Sequence, residues 1–140
     1  MTSIQETAGF HLALVCRARR NLIASEVEPF GLYVGQDLIM VQLWAEEGLT
    51  QSHLAERVGI DVSTMTKALQ RLERSGLVER RQDDRDTRVW RVFLTEQGRA
   101  LHPIITEGWN QAEQQTFAGF TTDEYTLFCH FLQRIEENLA

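Results

Sequence analysis

The side chains best suited to binding another molecule lie in one stretch near the middle of the chain. Its apolar residues Met65, Leu69 and Leu72 recur at helical spacing and predict one buried face. The opposite face then presents hydroxyl, amide and cationic groups, which hydrogen-bond the edges of DNA bases in the major groove or bind phosphate oxygens. These predicted DNA-binding residues are Ser63, Thr64, Thr66, Lys67, Gln70, Arg71 and Arg74.

A solvated helix face is the alternative interpretation of this stretch. Solvated helices usually mix Glu and Lys at four-residue spacing, whereas Glu73 is the only acidic residue between Val62 and Ser75. The chain has a formal charge of −6, yet residues 50–94 hold nine basic and seven acidic side chains. Because local potential decides what docks on a surface, the middle third of the chain favours a polyanionic partner.

A short segment of mixed charge follows this stretch. Residues 80–88, RRQDDRDTR, contain four arginines and three aspartates. The apolar period changes from about 3.6 to 2 in the flanking segments 77–81 and 89–94, which predicts two strands joined by the charged segment. A cation at the tip of such a hairpin reaches a phosphate or the minor groove, and we expect Arg85 to make this contact, with Arg88 beside it.

The aspartates of this segment have a predicted role in ordering the loop. We expect Asp83 or Asp86 to accept hydrogen bonds from the guanidinium of Arg85 or Arg88 and from backbone amides of the turn. Exposed ion pairs contribute only about 0–1 kcal/mol, so the predicted role is positioning rather than stability. A solvated loop is the alternative.

The elements that position these two segments begin with a pair of short helices. Thr50 is a good N-cap for a helix over residues 51–58, after which Gly59 supplies a tight bend. Asp61 or Ser63 then caps the second helix.

The sequence of the bend predicts how the two short helices pack. Ala55 is small enough to let them cross closely, and Ile60 and Met65 fill the angle between them. The order helix, turn, helix, strand and strand predicts a winged helix-turn-helix.

Longer amphipathic segments flank this unit. Apolar spacing predicts helices over residues 10–28 and 34–47 before it, and over 96–117 and 122–139 after it. Pro103 lacks an amide proton and predicts a kink in the third of these. Their apolar surface exceeds what a small winged unit can cover, so we expect a dimer to bury it. The predicted inward stripe of the 34–47 helix comprises Leu38, Val41, Leu43 and Trp44.

Several short motifs of residues 49–101 are shared with one known family. They are TMT at 64–66, LQRLE at 69–73, GLV at 76–78, DDRDTR at 83–88 and LTEQG at 94–98. Together with the flanking helices, these motifs resemble the MarR family of bacterial and archaeal transcription regulators. The resemblance covers nearly the whole chain.

The MarR resemblance implies a mainly α fold with a small β-hairpin wing (α+β). It implies a single domain at 1–140, with a winged helix-turn-helix core at 35–94 and dimerisation helices at 4–30 and 96–140. It further implies a homodimer on a pseudo-palindromic double-stranded DNA operator, with each recognition helix in a major groove and each wing at a minor groove. Such regulators are usually repressors.

Members of this family usually leave DNA when a small aromatic or phenolic effector binds in a crevice between the dimer helices and the winged unit. Aromatic, imidazole and cationic side chains on the flanking helices are the candidates for such a crevice. The alternative is that the tryptophans belong to the core and that the arginines are solvated. The candidate effector-pocket residues are His11, Arg17, Arg20, Trp44 and Trp109.

Two other functions stay open at this point. One branch of the family senses peroxide through a thiol on the first helix, and Cys16 lies on that helix, although later than in that branch. A reduced, buried thiol is the expectation for Cys16 and for Cys129. The second alternative is a winged-helix protein-interaction module without DNA binding, and the retained Lys67, Arg71 and Arg85 count against it.

Other function classes find no support in the sequence. The four histidines form no H-x-x-x-H pair, and neither a Gly-rich phosphate loop nor G-x-S-x-G occurs, so we predict no enzyme activity, metal or cofactor. Two cysteines are too few for a disulfide framework. No apolar run approaches about 18 residues and no signal peptide is apparent, so we expect a cytoplasmic protein without a membrane partner.

Overall fold

The computed structural model describes residues 2–140 and shows a mainly helical chain with one small sheet. Met1, which begins the predicted single domain at 1–140, lies outside the described residues. The predicted fold class, mainly α with a small β-hairpin, is confirmed. The elements are α1 Ala8–Val27, α2 Gln36–Ala45, β1 Leu49–Thr50, α3 Gln51–Val58, α4 Val62–Arg74, β2 Val78–Gln82, β3 Trp90–Leu94, α5 Glu96–Ala100, α6 His102–Thr116 and α7 Thr122–Leu139.

Helix α1 begins two residues before its predicted start because Thr7 caps it. The Thr7 hydroxyl accepts a hydrogen bond from the Phe10 amide at 3.2 Å. The helix ends at Val27, where a 3-10 turn over Glu28–Phe30 leads to Gly31 in the left-handed region at φ 85°. The end predicted from the proline and glycine of this turn is confirmed.

The predicted inward stripe of α2 is wrong at Leu38 and Val41, which are 43% and 39% exposed. Polar residues at the start of the helix set its rotation instead. Gln36 and Asp37 are buried, and each accepts a hydrogen bond at 3.0 Å from a backbone amide just ahead of the helix. The apolar residues that follow them on the buried face are Ile39, Met40 and Leu43.

Helices α3 and α4 form the predicted helix-turn-helix. The hydroxyl of Thr50 caps α3 and the carboxylate of Asp61 caps α4. Between the helices, Gly59 adopts φ 81°, a left-handed conformation that costs a residue without Cβ little. Ala55 and Met65 are buried in the core that the two helices share. The caps, the bend and the close packing predicted from the sequence are confirmed.

A three-stranded antiparallel sheet follows, and two of its strands form the wing, which we define as β2, β3 and the loop between them. The hairpin register runs from Val78 opposite Leu94 to Gln82 opposite Trp90, which confirms the predicted hairpin. Strand β1 pairs with the other edge of β3, so the strand order is β1-β3-β2. This two-residue strand is too short to show a period in the sequence.

The kink predicted at Pro103 is a complete break between α5 and α6. Leu101 separates the two helices, and Pro103 lies in the first turn of α6, where its missing amide costs no intrahelical hydrogen bond. Helix α7 begins with a capping box, in which Thr121 and Glu124 each accept a hydrogen bond from the other's amide.

Two helices leave much of their apolar surface outside the core. Helix α7 contributes no buried residue, and α1 contributes only Ile23 and Val27 near its end. Although both helices have an apolar face, no helix within residues 2–140 is both long and apolar enough to cross a membrane. Their exposed apolar side chains include Leu14, Val15, Tyr125, Leu127, Phe131 and Leu139.

Candidate nucleic-acid interface

Helix α4 separates its apolar and polar residues onto opposite faces. Its buried face consists of Met65, Leu69 and Leu72, which are inaccessible to solvent. At about 100° per residue, the residues on the far side of the helix are the exposed Ser63, Lys67, Gln70 and Arg74. This polar face contains no acid, so it can approach a phosphate backbone without like-charge repulsion.

The two flanks of α4 contact different parts of the molecule. On one flank, Thr66 and Glu73 hydrogen-bond side chains of α3 and of β2. On the other flank, Thr64 and Arg71 line a cavity beside α1 and α2, and Lys67 reaches the same cavity from the edge of the polar face. The predicted DNA-binding residues of this helix therefore have three different environments.

The first turn of α4 is held by Asp61. Its carboxylate accepts hydrogen bonds from the Ser63 hydroxyl at 2.7 Å, the Thr64 amide at 2.7 Å and the Thr64 hydroxyl at 2.8 Å. These bonds, with that of Ser63 the strongest, lower the pKa of Asp61 to about 2. The hydroxyls of Ser63 and Thr64 thus donate inside the protein, which leaves their oxygens as acceptors toward a partner.

Asp61→Ala is expected to lower the melting temperature by roughly 3–5 °C at neutral pH, because the cap of α4 is lost. The pKa of Asp61 is lower in the folded chain than its ordinary value, so its stabilisation is present above that value and is lost as the pH falls toward about 2. Thermal melts between pH 7 and about pH 2 should therefore converge for variant and wild type. The control is Asp84→Ala, because Asp84 is an exposed aspartate of the wing loop and precedes no helix. Equal melting temperatures for the two variants would contradict the cap.

The loop of the wing is ordered by Asp83. One carboxylate oxygen accepts the backbone amides of Arg85 and Asp86 at 3.0 and 3.1 Å, and the other accepts Arg91 Nε at 2.7 Å. Arg91 lowers the pKa of Asp83 and also donates to the carbonyl of Gly48 at 2.8 Å. The guanidinium that Asp83 binds is therefore that of Arg91, and not that of Arg85 or Arg88. The hairpin register places Arg91 opposite Arg81, close to the residues where the loop begins.

The two arginines of the loop differ in their partners. Asp86 accepts the Arg88 amide and Nε at 3.0 Å and Nη2 at 3.1 Å, and this pairing lowers the pKa of Asp86. Within residues 2–140, the guanidinium of Arg85 has no hydrogen-bond or ion-pair partner, and its side chain is exposed. Arg85 is therefore the cation of the loop that is free to bind an external anion. Its contact with DNA stays a prediction.

A cavity of about 540 Å³ lies between helices α1, α2 and α6 and the flank of α4 that carries Thr64 and Arg71. Its walls are mostly apolar and include Ile23, Ile39 and Ile60. Four cationic side chains also line it, which suits an anionic group on an otherwise apolar molecule. These cations are Arg19, Arg20, Lys67 and Arg71.

The indole of Trp109 organises the inner wall of this cavity. Its Nε1 donates to Asp37 at 3.1 Å, and Asp37 is only 2% exposed. The Arg19 guanidinium lies 4.6 Å from the centre of the same ring, within cation–π range. The cavity therefore has one aromatic wall that contacts both the buried carboxyl group of Asp37 and the guanidinium of Arg19.

The structure brings only part of the predicted effector-pocket set to this cavity. Arg20 and Trp109 line it. Trp44 instead stacks on His102 at 4.8 Å and donates to the Gly98 carbonyl, beside a second cavity of about 390 Å³ that Trp109 also lines. Arg17 lines a third cavity on α1, and His11 lines none of these three.

The expectation of buried thiols is wrong for Cys16, which is exposed on α1, and Cys129 is half-buried on α7. Both residues lie on helices whose outer faces pack against nothing within residues 2–140. The core of a single chain therefore does not bury these thiols. The described residues contain no cluster of three or more metal-ligating side chains.

This combination of a helix-turn-helix, an acid-free recognition face and an arginine-tipped wing defines a winged-helix DNA-binding protein. The sequence profile of the MarR family matches residues 32–90. The crystal structure of a MarR transcriptional regulator from Methanosarcina mazei Go1 is 30% identical, with a TM-score of 0.87 over 93% of this chain and 94% of that one. The chain therefore belongs to the MarR family and is a transcriptional regulator with a DNA-binding winged-helix fold.

Two further solved structures are similar and contain partners of their own. A MarR family regulator from Listeria monocytogenes, complexed with 26mer DNA, is 25% identical over 99% of this chain and 90% of that one, with a TM-score of 0.87. PcaV from Streptomyces coelicolor, in complex with its natural ligand, is 26% identical over 100% and 99% of the two chains, with a TM-score of 0.89.

Proposed function

We propose that the chain acts as a homodimeric, sequence-specific repressor that binds a pseudo-palindromic operator and is released by a small effector. The observation that carries the DNA-binding part is the acid-free outer face of α4 together with Arg85 at the tip of the wing, whose exposed guanidinium has no partner within residues 2–140. On DNA, this face reads the major groove and Arg85 meets the adjacent backbone or minor groove. The similar regulator that was solved with 26mer DNA supports this mode.

Selection from a pool of random duplexes tests this proposal directly. A twofold-symmetric dimer is expected to enrich an inverted repeat whose half-sites lie about one helical turn, roughly 34–36 Å, apart. Enrichment of single half-sites would oppose the dimeric mode. Failure to retain any duplex would favour the alternative of a winged-helix protein-interaction module.

The homodimer part of the proposal is supported by the apolar surfaces of α1 and α7. Helix α7 has no buried residue in the single chain, yet one of its faces carries aromatic and aliphatic side chains at helical spacing. A monomer that left this surface in water would aggregate. Pairing two copies through α1, α6 and α7 buries it.

Phe131→Glu is expected to convert the dimer to a monomer, because it puts a charge in the apolar face of α7. Sedimentation equilibrium should then give a mass of 16.1 kDa for the variant and twice that for the wild type. Gln133→Glu is the matched control, since Gln133 lies about 200° around the helix from Phe131 and faces away. A monomeric wild type, or equal dissociation of both variants, would contradict this interface.

The effector part of the proposal rests on the cavity beside α4. Its apolar walls, the Trp109 ring and its four cations suit a small aromatic or phenolic acid. Lys67 and Arg71 line this cavity and also border the DNA-facing side of α4. An anion bound there competes with phosphate for the same two cations, which gives a physical reason for release from DNA.

Arg20→Gln is expected to weaken binding of benzoate-type acids by roughly tenfold or more, because one charge-assisted hydrogen bond is lost. The measurement is quenching of Trp109 fluorescence, with Trp109→Phe identifying the signal and benzyl alcohol as the uncharged ligand. DNA affinity without ligand should stay near that of the wild type, since Arg20 lies on α1. Equal binding of acid and alcohol would contradict an anion site.

A further inference from the structure

Recognition helix α4 and wing strand β2 are joined by one ion pair. Glu73 accepts the Arg80 Nη2 at 3.1 Å and the Arg80 backbone amide at 3.4 Å. Glu73 is the only acid between Val62 and Ser75, so the single carboxylate of the recognition helix is used to hold the wing.

The Arg80 guanidinium also contacts the first helix of the helix-turn-helix. Its Nη1 donates to Gln51 Oε1 at 3.3 Å, and Gln51 Nε2 donates to the Thr66 hydroxyl at 3.2 Å. Its central carbon lies 5.8 Å from the centre of the Trp90 ring on β3. One side chain on β2 thus contacts α3, α4 and β3.

The Arg80 side chain is largely withdrawn from solvent, so little of it is available to contact DNA. Its side chain is 20% exposed, and within residues 2–140 its buried Nε has no hydrogen-bond partner. Because its two Nη atoms already donate to Gln51 and Glu73, this arginine is poorly explained as a solvated charge or as a phosphate ligand. By comparison, Arg85, five residues along the chain, is exposed, and its guanidinium has no partner within residues 2–140.

Because Arg85 lies several residues beyond Arg80, a small rotation of the wing at Arg80 produces a large displacement of Arg85. Five residues span at most about 16 Å, and less here because β2 ends at Gln82 and residues 83–85 lie in the loop, so a rotation of about 10° at Arg80 moves the tip of the wing by up to about 3 Å. A displacement of about 3 Å exceeds the range over which a guanidinium holds a phosphate oxygen. The angle between α4 and the wing must therefore be held closely if both are to engage one duplex.

We propose that Arg80 is a positioning residue that, through Glu73 and Gln51, sets the angle between the recognition helix and the wing. This inference rests on the proposed DNA-binding mode, in which Arg85 contacts the backbone or minor groove. Arg80 acts on DNA only through the placement of Arg85. The energies of these two residues in DNA binding are therefore coupled although their side chains do not touch.

A double-mutant cycle on duplex affinity tests the coupling. Arg80→Gln is expected to lower affinity by roughly fiftyfold or more, close to the loss expected for Arg85→Ala alone, and adding Arg85→Ala in that background should change it less than about twofold. Losses that multiply, so that the double variant equals the product of the two single effects, would overturn the proposal. Glu73→Gln removes the same ion pair with a smaller change in shape and should show the same coupling to Arg85.

A distance measurement without DNA separates this proposal from the proposed function. Spin labels at Gln70→Cys and Asp84→Cys, in a Cys16→Ser, Cys129→Ser chain diluted with unlabelled chain, report the separation of α4 and the wing tip. The distance distribution should be narrow in this chain and broad after Arg80→Gln or Glu73→Gln. Unchanged distributions would overturn the positioning role, whatever the DNA affinities.

Arg81→Gln is the matched control for both measurements. Arg81 is the next residue, is exposed, pairs with Glu79 on its own strand and stacks 4.3 Å from the Phe93 ring centre. Its loss should leave the α4-to-wing distribution unchanged. If Arg85→Ala alone leaves DNA affinity unchanged, the contact proposed for Arg85 fails, while the distance distributions still decide the role of Arg80.

Discussion

Arg85→Ala is expected to weaken binding to specific and random duplexes by the same factor, roughly a hundredfold, because a dimer loses two charge-assisted contacts of about 1.5 kcal/mol each. The guanidinium has no partner within residues 2–140, so its removal leaves no buried group unsatisfied and the fold intact. The slope of log affinity against log salt should become shallower by about 2, since each lost phosphate contact contributes about 0.9.

Two other variants show whether this loss has the proposed cause. Arg88→Ala removes the same charge from a side chain that is 88% exposed but already paired with Asp86, so it should have a smaller effect. Gln70→Ala removes a polar group from the outer face of α4 and should cost about 1–3 kcal/mol at selected base pairs only. Equal effects of Arg85→Ala and Arg88→Ala would contradict the distinction between a free and a paired cation.

Gly98→Ala is expected to destabilise the chain by about 3 kcal/mol, through a backbone clash. A Cβ at this position would lie 2.1 Å from the carbonyl oxygen of Leu77. That oxygen accepts the Thr95 amide at 3.1 Å, and the Gly98 carbonyl accepts Trp44 Nε1 at 3.0 Å. Any movement that relieves the clash therefore disturbs hydrogen bonds that join α5 to the wing and to α2.

Chemical unfolding at fixed protein concentration measures this change. Gly9→Ala is the control, because in α1 an added Cβ meets no atom closer than the Thr7 hydroxyl at 4.0 Å. That substitution should be neutral or stabilising by up to about 1 kcal/mol. A Gly98→Ala variant as stable as the wild type would show that α5 moves away from β2 at little cost.

The helix ends and the turn of the DNA-binding unit were predictable because they depend on local chemistry. Thr50 and Asp61 each accept a hydrogen bond from the amide three residues later, and Gly59 needs only its own backbone freedom. The rotation of α2 depended on Gln36 and Asp37 turning inward against preceding amides. Apolar periodicity does not contain that information, so Leu38 and Val41 were predicted on the wrong face.

The candidate site was predictable where it lies on one helix or one loop. The polar face of α4 follows from its buried residues, and the exposure of Arg85 follows from its place in the turn. The contacts of Arg80 and Arg91 could not be predicted, because Gln51 and Gly48 reach them only through the fold. The cavity beside α4 combines residues as distant in sequence as Arg19 and Trp109, and no local motif unites them.

The salt dependence of duplex affinity tests most directly whether the acid-free face of α4 and the tip of the wing bind DNA in two copies. Fluorescence anisotropy with one selected duplex, from about 50 to about 300 mM salt, provides the measurement. A dimer that neutralises about 6–10 phosphates predicts a straight line of slope about −5 to −9 on logarithmic axes. A slope near zero, or the absence of binding at low salt, would contradict the account.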